Sequence, residues 1–274
     1  MPPSADGVHF VIPDGTTSIT QPDWDGEGHD SWAEWGVDKA AVTSVTIPAS
    51  VTNIGPHAFW GCSALASVAI PTSVTRIEQY AFYECSALAS VAIPASVTCI
   101  EQFTFSACSS LTSIAIPASA TSIEQHAFSR CSALTRVAIP ASVTSIGGGA
   151  FFGCSALTSS AIPAAVTSIG QFAFYRCSAL TSVAIPAAMA SIQGWTFAGC
   201  SALTRLDIPG SVTSIDKFAF EGCSLLASVT ISTSTTTISA HAFAKCGALS
   251  EVTIKPVTDN NAGGADVVEV VKFI

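Results

Sequence analysis

The sequence predicts a repeat solenoid, a chain wound into stacked coils with a parallel β-sheet on one face and short turns or helical loops on the other. Three observations predict this class: a recurrence every 23 residues, a short apolar alternation in each repeat, and a proline that follows it. Fixed periods of this size are typical of solenoids. The recurrence is clearest in Cys62, Cys85, Cys108, Cys131, Cys154, Cys177, Cys200, Cys223 and Cys246.

A single repeat shows how each coil is built. The copy at residues 63–85 reads SALASVAIPTSVTRIEQYAFYEC. Its Val68-Ala69-Ile70 alternation has period two and predicts a strand with Val and Ile facing inward. Pro71 lacks an N–H group and ends that strand at a turn. Val74 to Ile77 predicts a second extended piece, and the Ala-Phe pair with the cysteine closes the coil by a turn.

One coil cannot bury its own apolar face, so stacking must complete the core. Strands of successive coils are expected to pair in parallel, ~4.8 Å apart. Equivalent residues then form columns, including one of leucine, one of phenylalanine and one of cysteine. Parallel Cβ vectors fit the S–S torsion poorly, and free cysteine packs as a small buried hydrophobe. The nine periodic cysteines are therefore predicted to be buried free thiols.

Two residues break the repeat. Cys99 is out of register, where other repeats hold Ser or Thr. It is predicted to be an exposed, reactive thiol. Ser160 occupies an inward strand position that usually holds Val or Ile, which predicts a local defect or a shifted strand.

The pattern L-x-x-V-x-I-P-x-S-V-x-x-I-x-x-x-A-F-x-x-C runs through residues 41–254, and a degenerate copy begins at Phe10-Val11-Ile12-Pro13. This pattern resembles the BspA-type leucine-rich repeat family. The resemblance implies a right-handed leucine-rich-repeat coil. It also implies a surface, adhesion or protein-binding role, because most members are known as such proteins of bacteria and microbial eukaryotes. The family has no shared catalytic residues to transfer.

The organisation has three parts. Residues 1–40 form a degenerate repeat and an acidic, tryptophan-rich cap, residues 41–254 form the solenoid, and residues 255–274 form a second cap. Caps are needed because a solenoid exposes sheet edge and core at its ends. Three tryptophans within residues 21–40 are expected to cover the first coil, with Ser31 capping a short helix. Residues 267–274 read as a strand on the last coil.

Composition excludes some partners. The chain has 274 residues, only 11% of them charged, and a net charge of −9, which argues against nucleic acid as a partner. No apolar stretch reaches the ~20 residues of a membrane span. The first residues resemble no signal peptide, so the chain alone predicts an intracellular protein. The family resemblance implies a secreted or cell-surface one, and the compartment stays open.

An acidic motif in the front cap offers a candidate metal site. Asp23, Asp25, Glu27 and Glu34 have nearly the spacing of the D-x-[DN]-x-[DN]-G-x5-E calcium loop. Glu27 departs from the pattern, and no helix is predicted before the loop. A calcium site and a solvated acidic loop are the alternatives, and no other cofactor is predicted.

Three surface columns are candidates for binding. Outward strand positions are mostly Ser and Ala, a flat face interrupted by charges at Arg205 and Asp207. A threonine column on the second extended segment resembles ice-binding surfaces, although Thr also simply suits exposed strands. The most varied column we call the aromatic ridge. It comprises His57, Tyr80, Phe103, His126, Phe172, Trp195, Phe218 and His241, with Gly149 in one repeat.

The aromatic ridge has two interpretations. Its rings could stack on sugars or anchor a protein, or they could shield the phenylalanine column. The candidate binding residues are Tyr80, Phe103, His126, Phe172, Trp195 and Phe218, with Arg205 and Asp207 on the strand face.

No nucleophile and base can be paired from the sequence, so an enzyme is not expected. The favoured function is a non-catalytic interaction protein that presents its repeat surface to a protein or glycan. An ice-binding or other surface-ordering protein and a purely structural scaffold are the alternatives.

Overall fold

The coils of the predicted solenoid are present in the computed structural model, which describes residues 8–21, 31–256 and 269–272. Most coils contribute a strand of two to five residues to one face and a two-residue strand to a second face. The strands are β1 (Val8–Val11), β2 (Ser18–Ile19), β3 (Val42–Thr46), β4 (Asn53–Ile54), β5 (Ser67–Ala69), β6 (Arg76–Ile77), β7 (Ser90–Ala92), β8 (Cys99–Ile100), β9 (Ser113–Ala115), β10 (Ser122–Ile123), β11 (Arg136–Ala138), β12 (Ser145–Ile146), β13 (Ser159–Ala161), β14 (Ser168–Ile169), β15 (Ser182–Val183), β16 (Ser191–Ile192), β17 (Arg205–Asp207), β18 (Ser214–Ile215), β19 (Ser228–Ser232), β20 (Thr237–Ile238), β21 (Glu251–Lys255) and β22 (Glu269–Lys272). Helix α1 spans Ser31–Trp35, and a 3-10 turn spans Lys39–Ala41.

The first face is a parallel sheet in two parts. Strands β1, β3, β5, β7, β9, β11, β13 and β15 form one part, and β17, β19 and β21 form the other. Val68 pairs with Val91, its equivalent one repeat later, so the register follows the sequence period. The strands of the second face form three shorter sheets. The first-face ladder is interrupted between β15 and β17. The turns of the same two coils stay bonded on the opposite side, as in the bond from Phe197 N to Ala219 O.

The phenylalanine column forms the centre of the core. Phe59 and Phe82 stack with ring centroids 4.9 Å apart and planes 3° from parallel. The series continues ring on ring to Phe220 and Phe243, at 5.2 Å. This spacing follows that of the strands, because one phenylalanine enters from each coil. Apolar side chains from successive coils thus form one continuous core, as the repeat predicts.

The cysteine column is buried and free, as predicted, apart from half-buried Cys246. Each thiol from Cys85 to Cys246 also makes a contact that the repeat pattern did not predict. Its Sγ lies 3.1–3.4 Å from the carbonyl oxygen of the phenylalanine 26 residues earlier. Burial raises the pKa of Cys131 and Cys200 to about 12. Cys131 and Cys200 are therefore protonated donors, and each ties its coil to the one before it.

The prediction for Cys99 was wrong. Its side chain is half-buried, and its Sγ lies 3.2 Å from the hydroxyl of Ser122. Partial burial, as the largest cause, raises its pKa to about 11. A thiol with so high a pKa has little thiolate at neutral pH, and the thiolate is the reactive form.

Of the two alternatives predicted at Ser160, the shifted strand is wrong, and the local defect is confined to the side chain. Strand β13 keeps its register with both neighbours, and Ser160 pairs with Val137 and Val183. Only 5% of Ser160 is exposed, and its hydroxyl has no hydrogen-bond partner. Because backbone groups make the parallel pairing, the strand keeps its register. The buried hydroxyl lacks a partner, and its desolvation lowers the stability of the fold.

A helix covers the first coil, and a strand covers the last one. Trp32 of α1 is 2% exposed and lies edge-on to Phe59, with centroids 5.6 Å apart, so it covers the end of the phenylalanine column. Its indole N–H donates to the carbonyl of Ala58. Ser31 is the first residue of α1, and its hydroxyl accepts from the Thr20 amide. Trp24, the third tryptophan, lies outside the described residues.

At the other end, β22 pairs antiparallel with β21, as expected for a strand on the last coil. Within the ranges that the structure describes, no helix has the length and apolarity needed to span a membrane.

Candidate functional site

The aromatic ridge lies in the turns that close the coils, and its backbone is unusual. Every ridge residue has φ between 54° and 63°, the left-handed region that bulky residues rarely adopt. The amide of Tyr80 donates to the Gln102 carbonyl at 3.0 Å, and that of Phe103 donates to Gln125 at 3.0 Å. These bonds run from one coil to the next and hold the ridge side chains in register.

The ridge rings form two stacked ladders. In the first ladder, Tyr80 and Phe103 are 4.7 Å apart, as are Phe103 and His126. In the second, Phe172 and Trp195 are 5.2 Å apart, and Trp195 and Phe218 are 5.0 Å apart. His57 and His241 are the outer rings. Each inner ring of a ladder has a stacked ring on both faces, so it offers only its edge to a partner.

The two ladders are separated at Gly149, where the repeat supplies no ring. A Cβ added to Gly149 would lie 2.3 Å from Cε1 of His126, so the imidazole leans over this glycine. A cavity of about 330 Å³ opens here. We call it the notch. It is lined by the side chains of Gln125, His126, Gln171, Phe172 and Gln193, with glycine backbone at Gly148, Gly149 and Gly170.

A second, smaller cavity shares His126. It has a volume of about 220 Å³ and includes Tyr83, Phe152 and Arg130. Burial, and then the charge of Arg130, lower the pKa of His126. The imidazole is therefore neutral at pH 7 and offers one donor and one acceptor nitrogen.

The predicted charged pair is exposed on strand β17 of the first face, away from the aromatic ridge. Arg205 and Asp207 form an ion pair, with Nε and Oδ2 3.4 Å apart. A hydrogen bond from the Thr230 hydroxyl, followed by Arg205, lowers the pKa of Asp207. Asp207 also lines a cavity of about 600 Å³ with Thr230 and Lys255, where the ladder is interrupted. Because ridge and strands occupy opposite sides of the coil, the structure does not join these residues to the ridge in one site.

The threonine column is exposed, but its hydroxyls are partly engaged. Thr121 Oγ1 donates to the Thr98 carbonyl at 3.3 Å, and Thr144 Oγ1 donates to the Thr121 carbonyl at 3.4 Å. These bonds join coils and direct the hydroxyl hydrogens into the protein.

The predicted calcium ligands Asp23, Asp25 and Glu27 lie outside the described residues. Glu34 is on α1 and is exposed. Among the described residues, no group of three or more His, Cys, Asp and Glu side chains is arranged to hold a metal ion. Calcium binding therefore stays a prediction.

Sequence reasoning missed a second left-handed position in each turn. It has φ of 57–76° and holds Glu84, Ala107, Arg130, Arg176 or Lys245 in some repeats and glycine in others. The glycines at Gly61, Gly153, Gly199 and Gly222 were the available signal, because glycine is favoured where φ is positive. The same logic applies to Gly149 in the ridge.

Comparisons with known proteins agree with this architecture. The model of the BspA type leucine-rich repeat region matches residues 38–158 and 144–261. A leucine-rich repeat protein from Bacteroides ovatus ATCC 8483 matches with a TM-score of 0.79 and 28% identity, over 90% of this chain and 63% of that one. This chain thus spans less than two thirds of that protein. A leucine rich cell surface protein from Faecalibacterium prausnitzii A2-165 matches with a TM-score of 0.45 and 26% identity, over 92% of this chain and 88% of that one.

A search of curated proteins found no match. The family model covers all of residues 41–254. The chain belongs to the BspA-type leucine-rich repeat family.

Proposed function

We propose that this chain is a non-catalytic, adhesion-like interaction protein that binds its partner through the turn face that carries the aromatic ridge. Family membership supports a repeat-based interaction role. The specific observation behind the choice of face is the pair of ring ladders with outward edges. A few residues carry most of the binding energy at interfaces, and Trp and Tyr, present in the ladders as Trp195 and Tyr80, are enriched among them.

The strand face is the weaker candidate, because its side chains are small. Ser113 and Ala115, for example, are exposed on β9 without a large neighbour on that strand. Small residues contribute little binding energy. Its Arg205 and Asp207 are already paired with each other, and exposed pairs of this kind contribute little.

A printed array carrying both glycans and purified extracellular proteins tests the proposed face. Phe218→Ala and Trp195→Ala should each weaken binding, because they remove ring edges and an anchor of the second ladder. Ser113→Arg and Ser159→Arg serve as matched controls on the strand face, where native Arg136 already occupies the equivalent position. We expect these controls to bind normally. Loss of binding in the strand-face variants, with full binding in the ridge variants, would contradict the proposal.

A secreted or cell-surface location is part of the proposal and rests on the family. Antibody labelling of intact and permeabilised source cells tests it. Signal only after permeabilisation would argue against an adhesion role.

A further inference from the structure

We propose that the notch at Gly149 is a binding site for a neutral sugar unit of a glycan. This inference rests on the proposed function and adds the chemical class of the ligand and its position. It is carried by three independent features of the notch, namely uncovered ring faces, free amides and the local absence of charge.

The first feature is the exposure of ring faces. His126 stacks on Phe103, and Phe172 stacks on Trp195, but the ring that would lie between His126 and Phe172 is missing. Neighbouring coils are ~4.8 Å apart, so one absent ring leaves roughly 10 Å between the coils on either side. The imidazole of His126 leans over Gly149 and takes up part of this gap. The flat C–H face of a pyranose can pack against an aromatic face in such a gap.

The second feature is a set of amides. Gln125, Gln171 and Gln193 line the notch, and their side chains make no hydrogen bond within the described parts of the protein. Each amide carries a donor and an acceptor, the arrangement that matches neighbouring sugar hydroxyls. An apolar peptide side chain would leave these groups without partners, which costs binding energy.

The third feature is the loss of charge at one column of the turns. The residue after the second strand is acidic on both sides of the notch and uncharged within it. The whole column runs Gly55, Glu78, Glu101, Glu124, Gly147, Gly170, Gln193, Asp216 and Ser239, so its end members are uncharged as well. A neutral lining between Glu124 and Asp216 suits a neutral ligand, because a buried unpaired charge would be costly.

The glycines at the floor of the notch let the backbones of neighbouring coils approach closely. A Cβ at Gly170 would lie 2.5 Å from the Gly148 amide nitrogen, and one at Gly147 would lie 2.6 Å from that of Gln125. Larger residues would therefore force the coils apart. The cavity of about 330 Å³ is at the lower end of the ligand-pocket range of roughly 300–1,000 Å³, which suits one sugar ring.

The decisive variant is Gly149→Phe, which fills the notch with the ring that other repeats carry. The fold accepts phenylalanine at this φ, since Phe103 and Phe172 have φ of 56° and 60°, provided that the imidazole of His126 moves away from residue 149. Gln171→Leu removes one exposed amide without touching the core. Gln79→Leu is its matched control, because Gln79 has the same place in a coil far from the notch.

Each protein is applied to a printed array of neutral, sialylated and sulfated glycans and to the extracellular proteins used above. We expect the wild type and Gln79→Leu to bind neutral glycans alike. Gly149→Phe and Gln171→Leu should each lose roughly tenfold or more in affinity. Thermal melting checks that all four proteins are folded.

Neutral-glycan binding that survives Gly149→Phe overturns the notch proposal, as does binding to acidic glycans alone. Protein binding that depends on the ridge, without any glycan binding, overturns the notch and leaves the proposed function intact. Binding by the wild type to nothing on either array overturns both.

Discussion

The Sγ atom of Cys154 lies 3.1 Å from the carbonyl oxygen of Phe128, a residue of the preceding coil. The same oxygen accepts the Cys131 amide at 3.2 Å. The thiol is therefore a second donor to one carbonyl, and it also fills space in the core. The cysteine column thus links coils through side chains where the strands link them through the backbone.

Replacing one column thiol should destabilise the solenoid modestly. Cys154→Ala removes the sulfur and its hydrogen bond but leaves Phe128 O bonded to the Cys131 amide. We expect the free energy of unfolding to fall by about 1–2 kcal/mol, measured by urea denaturation. Cys99→Ser is the control and should change stability by less than about 0.5 kcal/mol. Equal losses in both variants would contradict a special role for the column.

Ser160 predicts a stabilising substitution. Its hydroxyl is buried without a partner, and the flanking strands hold Val137 and Val183 at the same position. Ser160→Val should raise the free energy of unfolding by about 1–3 kcal/mol, because an unpaired polar group is replaced by an apolar one. Ser159→Val, on the exposed side of the same strand, should have little effect. A destabilised Ser160→Val protein would mean that the hydroxyl is bonded in solution.

The second left-handed position of the turn predicts another stabilising change. Ala107 has φ of 61°, in a column where Gly153 and Gly199 have φ of 70° and 76°. Ala107→Gly relieves the Cβ strain and should gain about 0.5–1 kcal/mol after the entropy cost of glycine. Ala69→Gly, in an exposed strand position, should instead lose about 0.5–1 kcal/mol. Urea midpoints of the two variants should therefore move in opposite directions.

His126 predicts a dependence of stability on pH. Its pKa in the folded protein is lowered by burial and by Arg130, so the unfolded chain binds the proton first as pH falls. The contribution of His126 is therefore present above the unfolded value of about 6.5 and is lost below it. When the pH is lowered from 7.5 to 5, the melting temperature of His126→Phe should fall less than that of the wild type. An equal fall in melting temperature for the two proteins would contradict this role of His126.

Much of the fold follows from sequence periodicity. The 23-residue spacing fixes which residues stack, because a parallel register of the same length is the arrangement that buries the leucine, phenylalanine and cysteine columns at once. Val68 and Val91 therefore pair as the repeat predicts. The family resemblance identified the same architecture, and the matching model agrees with it.

The candidate site was less predictable. The sequence identified the aromatic ridge as a column, but neither the stacking of Tyr80 on Phe103 nor the resulting loss of ring faces follows from spacing. Side-chain rotamers and left-handed backbone set these contacts, and both depend on the neighbouring coils. The prediction for Cys99 was wrong for a similar reason, since its burial depends on Ser122 in the next coil.

The sequence alone determined the inward and outward faces of every coil, because a fixed period places each residue type in one column. Only the tertiary structure decided the effect of residues that depart from the repeat. Gly149 is one residue without a ring in the sequence, whereas in the folded protein it opens a notch between two ring ladders. The physical reason is that stacking covers ring faces wherever the column is unbroken, so a free face and a cavity exist where a neighbour is missing.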